Sequence, residues 1–421
     1  MHICIFEDSH AKNFHPLTHL RPVYDLHCGT LSLRSRIEQF VPARRIVYHA
    51  RPFLAGYIQE QRPSRPVNDF PEDDTWFING RLLMNQSVKK VIQHIRSEEK
   101  IFLAGNEVAL ACVRREHIRQ ITQPLRTEFL HRHVFESFPA EQLDCSLIQY
   151  PWELVAHNAA EIESDFRMSV KISRRKSAFG MVYKGAHLLN RKNISIGAES
   201  VVMPGAVLNA EKGPIIIGDC VTVMPNSFLE GPLYIGDHSL IKAGAKIYHG
   251  TSIGPHCKVG GEVENSIVQS YSNKQHEGFL GHSYLGSWIN IGADTNNSDL
   301  KNTYGSVKVV VNGKTVDTGM QFVGLTMGDH SKTGINMMFD TGTVVGISSN
   351  LYGAGLPPKF VPSFSWGSPG SLSVFELEKS LEIARRMMAR RDVRMSSAYE
   401  TMMRHAFAAT DDERRQALSG T

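Results

Sequence analysis

Residues 217–259 read IGDCVTVMPNSFLEGPLYIGDHSLIKAGAKIYHGTSIGPHCKV. Ile217, Val223, Leu229, Ile235, Ile241, Ile247, Ile253 and Val259 make every sixth position aliphatic, eight times in succession. In a chain that is 42% hydrophobic, chance rarely gives such a run. The period matches neither a helix, at about 3.6 residues, nor a lone strand, at about 2. It is the period of short flat strands that each end in a corner. Three such hexapeptides close a triangular coil of about 18 residues, and successive coils stack at roughly 4.8 Å. Glycines at 218, 236, 254 and 260 suit the corners, where a Cβ strains the backbone. The expected fold is a parallel β-helix.

The pattern extends in both directions. Ile196, Val202 and Leu208 begin it. After a two-residue slip it resumes at Ile267, Phe279, Leu285 and Ile291, and later at Met327, Thr333, Phe339, Val345 and Leu351. Residues 296–322 leave it. Their VKVVVNGKTV, two β-rich runs around Asn312-Gly313, predicts a hairpin with a type I′ turn. Excursions of this kind sit on one face of a solenoid and often build a site.

The β-helix takes residues 171–370 and is preceded by different texture. In residues 1–150, ICIF, RIVYHA, TWFING and KIFLAG read as strands, and SLRSRIEQF and NQSVKKVIQHIRSEEK as helices. The alternation predicts an α/β layer with a largely parallel sheet. Residues 151–170 form a linking helix. Residues 371–421 read as helices, with capping boxes at Ser373–Glu376 and Thr410–Glu413. The basic RRMMARR, 385–391, reads as a solvated helix face in preference to a membrane-surface helix.

Composition excludes several classes. A net charge of +4 over 421 residues is no nucleic-acid footprint. No run reaches the ~18 apolar residues of a membrane span. The opening MHICIFEDSH lacks the parts of a signal peptide, and the expectation is a cytoplasmic protein. Six scattered cysteines without a CxxC pair point to reduced thiols, not to a disulfide frame or a zinc knuckle.

The histidines are read against the coil. In HEGFLGHSYLGSWINIGADTNN, 276–297, His276 and His282 stand six apart, on corners of successive faces. That separates them by roughly 15–20 Å, so within one chain they do not serve one reacting atom. His238 and His256 differ by 18 and should stack on adjacent coils. Two stacked imidazoles are not a zinc site, and the next residue of their column reads as Lys274; no metal site is expected.

From His276 onward the chain resembles the acetyltransferase domain of the bifunctional N-acetylglucosamine-1-phosphate uridylyltransferase/glucosamine-1-phosphate acetyltransferase family. That family's H-x-x-Y-L-G, seven residues, then N-I-G-A-G-T stands here as His276 to Gly281 and Asn290 to Thr295, without a gap. The resemblance implies a left-handed coil, acetyl-CoA as acyl donor and a homotrimer with the CoA site between neighbours. It implies His276 as general base, Asn290 at the sugar, and Gly292 and Ala293 at the thioester. Phe279, Asn297, Lys301 and Tyr304 are further sugar-contact candidates. The chemistry fits: an imidazole accepts a proton near neutrality, and backbone or amide N–H groups hold an oxyanion. Two departures stand out. Phe279 lacks the family's aromatic hydroxyl, and Glu264 replaces a lysine that helps hold the sugar phosphate. A carboxylate there opposes a phosphate by on the order of 1 kcal/mol.

FEDSHAKNFHPLTHLRPVYDL, 6–26, is similar to the opening of sugar nucleotidyltransferases in Pro16-Leu17-Thr18 and Arg21-Pro22. Ser9 and Ala11 replace its glycines, Asn13 its arginine and Val23 its lysine. Arg81 replaces its magnesium-holding aspartate. The domain is a shortened version, with Lys12, Arg21 and Arg34 left to meet the phosphates of UTP or dTTP. Mg²⁺ belongs here only if this domain is active. The reading is acyl transfer from acyl-CoA to an amino sugar or amino sugar phosphate, in nucleotide-sugar (UDP-N-acetylglucosamine-like) biosynthesis. It is fused to a nucleotidyltransferase-like domain of weak or no activity. The alternatives are a fully bifunctional enzyme and a non-catalytic sugar-nucleotide-binding scaffold.

Overall fold

A computed structural model describes residues 2–43, 45–70, 72–94, 98–122, 129–172 and 180–418. The N-terminal layer has strands β1 (His2–Phe6), β2 (Arg45–Tyr48), β3 (Thr75–Asn79), β4 (Lys100–Ala104), β5 (Glu107–Val113) and β6 (Ala140–Gln142). Their order is β2-β1-β3-β5-β4-β6. The expected parallel sheet is mixed, because β5 runs antiparallel to both β3 and β4. Its segment EVALACV follows Gly105, whose left-handed φ makes a tight reversal after β4. Helices α1 (Leu33–Phe40), α2 (Pro52–Gln61), α3 (Gln86–His94) and α4 (Arg115–Thr122) accompany the sheet. Of the helix read from NQSVKKVIQHIRSEEK, residues 95–97 lie outside the described residues, and the end is not helical, since Lys100 already opens β4. Helix α5 (Pro151–Ile172) links the layer to the β-helix.

The β-helix is a prism with three parallel faces. Residues 222, 240 and 258 pair in sequence on face three, eighteen residues per coil, as the period required. The interior columns are aliphatic: Leu208, Leu229 and Ile247 on face one, Ile217, Ile235 and Ile253 on face two, Val223, Ile241 and Val259 on face three. Beyond Val259 the register changes. Val259 pairs with Lys274, only fifteen residues on: the corner 260–261 has two residues where the corners 242–245 and 275–278 have four. Consequently Val268 and Leu280, not Ile267 and Phe279, point inward. Ile267 turns out to face the N-terminal domain, beside Leu26 and Tyr284. The hairpin forms as expected, Lys308–Val311 against Lys314–Asp317, with both Asn312 and Gly313 left-handed.

Along the edge between faces two and three the corner residues share a left-handed φ: Glu199, Cys220, His238, His256, Tyr271, Trp288, His330, Ser348 and Phe364. Each L residue there costs roughly 1–2 kcal/mol. Stacked rings offset part of that cost. His238 stacks on His256 at 4.8 Å, as expected, but the column continues through Tyr271 (4.6 Å) and Trp288 (4.2 Å), not Lys274.

Helices α6 (Leu377–Ala389), α7 (Ser397–Ala409) and α8 (Asp411–Leu418) close the chain. The expected capping boxes do not form. Ser373 lies in a strand and donates to the Trp366 carbonyl. Thr410 closes α7 on Ala406, while Glu413 accepts from the Ser363 N–H. The basic run is partly docked: Met388 is buried, Arg385 pairs with Glu400 and Arg391 donates to Asn273. All three parts share one apolar core, with Leu54 and Ile58 of α2, Trp288 and Ile347 of the prism, and Leu381 and Met402 of the last helices. Polar clamps reinforce it. Tyr284 Oη accepts from the His27 N–H at 2.8 Å and donates to its carbonyl at 3.0 Å. Arg21 pairs with Asp329.

Candidate active site

Two edges of the prism carry the residues that the sequence singled out. His276 lies exposed in the corner 275–278 between faces three and one. Directly above it comes the corner of Gly292 and Ala293, since the Asp294 N–H donates to the Glu277 carbonyl at 3.0 Å. Contact between the coils is close here: a Cβ on Gly292 would stand 2.0 Å from the Gly334 carbonyl oxygen. The Gly292 N–H is already bonded to Thr333 Oγ1 at 2.9 Å. Asn290 bridges Asn273 and Lys332 on face three, the face that runs into this edge, and its Oδ1 accepts from Asn273 at 3.5 Å. His276, Asn290, Gly292 and Ala293 thus come to adjacent coils of one face and edge.

A buried ammonium underlies that corner. Lys274 fills an interior slot of face three, 2% exposed, where the period demands an aliphatic residue. Its Nζ reaches the corner and donates to the carbonyls of His276 (2.8 Å) and Gly260 (3.1 Å). Burial pushes its pKa down to about 8, with Glu277 and Asp294 pulling the other way.

The remaining candidates lie elsewhere. Phe279 looks out of face one and donates its N–H to Asn296. Asn297 is buried, its amide bonded to both the N–H and the carbonyl of Gly281, which makes it a structural amide and not an open sugar contact. The excursion leaves after face one, so Lys301 and Tyr304 belong to the next edge. There Lys301 donates to the Ser306 carbonyl and Tyr304 is 68% exposed. Glu264 ends a strand of face one on that edge, 3.9 Å from His249.

That edge holds a pair the sequence reading passed over. His282 Nδ1 lies 2.8 Å from Asp299 Oδ2, and its ring stacks on Phe322 of the excursion at 5.0 Å. A carboxylate on Nδ1 fixes the tautomer that leaves Nε2 as acceptor. The signal was available as HSYLG with an aspartate seventeen residues on, but only coil stacking makes them neighbours.

The N-terminal loop has closed on itself. Asp8 caps the short 3₁₀ helix Ser9–Phe14 through the His10 N–H, so that N–H is not free for a phosphate. Glu7 is fully buried against Arg51 and the Val23 N–H. A cavity of about 310 Å³ at the end of β1 brings Asp8, His10 and Glu107 together, close enough to hold a cation. The Arg81 guanidinium is bonded to both Asp8 and Glu107. Burial opposes ionisation of Asp8, yet His10 and Arg81 hold its carboxyl below the usual range. A fixed positive charge stands on the two carboxylates, so these residues do not fit Mg²⁺. Lys12 lies over the Phe129 ring at 5.1 Å, and Arg21 is committed to Asp329.

Comparison with known proteins bears on both parts. Residues 3–173 match the sugar nucleotidyl transferase family. With the β-helix, this fits the bifunctional family that the sequence resembles. Among curated relatives, the bifunctional sugar-1-phosphate nucleotidylyltransferase/acetyltransferase of Sulfurisphaera tokodaii is 32% identical over 91 residues, 22% of this chain and 23% of that one. The bifunctional protein GlmU of Corynebacterium glutamicum is 29% identical over 170 residues, 36% and 31% of the two chains. That of Synechococcus sp. is 24% identical over 191 residues, 41% and 38%. The chain thus spans well under half the length of these relatives. A solved UDP-N-acetylglucosamine acyltransferase covers 54% of this chain and 86% of its own at 13% identity, with a TM-score of 0.31.

Proposed function

We propose that the chain is a cytoplasmic transferase that moves an acyl group from an acyl-CoA to the amino group of a sugar or sugar phosphate, at the edge between faces three and one. One arrangement supports the reading: the unbroken block from His276 to Ala293 folds onto adjacent coils of that open edge. The amine nitrogen attacks the thioester carbon and passes its proton to the His276 imidazole. The Ala293 N–H holds the oxyanion. The C–S bond then breaks, and the thiolate leaves with the proton from the imidazolium. Exposed Ile335 and Met338 extend the same edge upward, which suits a homotrimer with acyl-CoA between neighbouring prisms. Nucleotidyl transfer is lost, because Arg81 takes the cation's place between Asp8 and Glu107.

A second assignment of the base is favoured by a specific observation. His282 has an orienting carboxylate at 2.8 Å, whereas none of the described residues supplies one to His276. Thiol release from acetyl-CoA, measured against a panel of amino sugars and their 1-phosphates, tests both. Turnover is expected in the wild type and a fall of ~10²–10⁴-fold in His276→Ala. The same loss in His282→Ala, with His276→Ala intact, transfers the role to His282. No turnover with any acceptor sinks the acyl-transfer reading. No pyrophosphate release is expected from UTP or dTTP with sugar 1-phosphates.

A further inference from the structure

A cavity of about 400 Å³ lies where the N-terminal domain, the prism and the last helices meet. It is separate from the prism edge proposed for acyl transfer and from the Asp8–Arg81 cluster. Three guanidiniums line it. Arg34 and Arg62 come from the ends of α1 and α2, and Arg21 from the segment that clamps Asp329. Two of these are the arginines that the sequence offered to a phosphate.

The carboxylates in the wall are fewer. Asp25 accepts from both Arg34 (2.7 Å) and Arg62 (3.0 Å), and Asp329 takes Arg21. Glu38 and the Tyr48 hydroxyl stand behind Arg34 but outside the lining. The nearby His27 is neutral, because burial pushes its pKa down to about 4. The wall therefore carries three positive charges against two negative.

One donor is left over. Arg21 Nε is buried without a hydrogen-bond partner among the described residues. A buried donor left in this way costs about 1–3 kcal/mol. The rest of the lining is divided between apolar side chains, such as Leu54 and Met402, and hydroxyls or amides, such as Ser270 and Gln269. Planar forks favour a phosphate, carboxylates and amides accept or donate to hydroxyls, and the apolar side suits the face of a ring.

We propose that this interdomain cavity binds a phosphate ester of a hydroxyl-bearing ring, either a sugar phosphate or the sugar-diphosphate end of a nucleotide sugar. Its occupancy ties the three parts of the chain together. The size suits the class, since ligand sites run from about 300 to 1,000 Å³.

The test is thermal unfolding and calorimetric titration of the full chain, with glucose 1-phosphate, UDP, UDP-N-acetylglucosamine, inorganic phosphate and uncharged glucose as probes. A raised midpoint is expected with at least one phosphorylated ring, and none with glucose. Glucose 1-phosphate acting alone identifies a sugar phosphate, and UDP-N-acetylglucosamine alone a nucleotide sugar. Two variants keep the assignment falsifiable. Arg62→Gln leaves Asp25 its partner Arg34 and should weaken binding by about tenfold or more. Gln61→Trp, at an exposed rim position, should block the cavity while leaving the ligand-free midpoint unchanged. No binding of any probe at millimolar concentration overturns the proposal, and so does binding that both variants leave intact. Neither result touches the acyl-transfer reading, which thiol release decides.

Discussion

At the scale of single residues, Lys274 carries the sharpest conflict between register and chemistry. It stands between Val259 and Ile291 in an aliphatic column, and its ammonium escapes only to two carbonyls at the corner. Its folded pKa of about 8 lies below the ~10.4 of an unfolded lysine. Between those values the unfolded chain binds more protons, so this residue's contribution to stability rises with pH across that window. At pH 7 the buried charge costs free energy; by pH 10 that cost has faded. Lys274→Met should therefore gain stability relative to wild type at pH 7, and the gain should shrink toward pH 10. Urea midpoints of both proteins at the two pH values check this, and parallel curves count against it. Nothing in the hexapeptide count pointed to this burial. The six-residue count put Lys274 in the column of His238 and His256, because it did not allow for a fifteen-residue coil.

At the scale of elements, the prism is held by its columns. Ile235 is fully buried on face two, between Ile217 and Ile253. Ile235→Ala should cost about 2–5 kcal/mol, since neighbours fixed by ladder hydrogen bonds cannot collapse into the void. Denaturant unfolding measures it. This part of the fold was legible, for a strict period leaves one way to bury eight aliphatic residues. The hairpin was legible for a local reason, since Asn-Gly accepts two left-handed residues. What could not be read depends on contacts distant in sequence. Leu280 replaced Phe279 as the inward residue because the shortened corner 260–261 had already shifted the register, and six-residue steps from Val268 through Lys274 then land on Leu280. Asn297 became structural because it stacks over Gly281. His282 met Asp299 only once the excursion's neck had closed. The β5 strand was missed since EVALACV has no polar alternation: both of its faces are covered.

At the scale of the whole molecule, the N-terminal layer and the last helices are one structure although some 350 residues separate them in sequence. Phe53 of α2 stacks on His405 of α7 at 4.0 Å, and Leu54 and Ile58 share their core with Met402 and Met403. Each large side chain taken from such a core costs about 2–5 kcal/mol. Removing residues 375–421 takes away several at once, which exceeds the ~5–15 kcal/mol a domain holds. The truncated chain should lose the N-terminal domain's fold while the distal coils remain, read as partial loss of helical circular dichroism with new dye-binding surface. A truncated chain with full helical signal from α1 to α5 would refute this.

The ring column on the edge between faces two and three runs from His238 to Trp288, and through His330 it meets Tyr399 of α7, whose hydroxyl lies 2.7 Å from His330 Nε2. Light absorbed by Tyr271 or Tyr399 thus has an indole acceptor close by. In a chain whose Trp76, Trp152 and Trp366 are replaced by phenylalanine, tyrosine-excited emission from Trp288 becomes an intrinsic optical gauge of whether the terminal helices are seated, read without attaching any label.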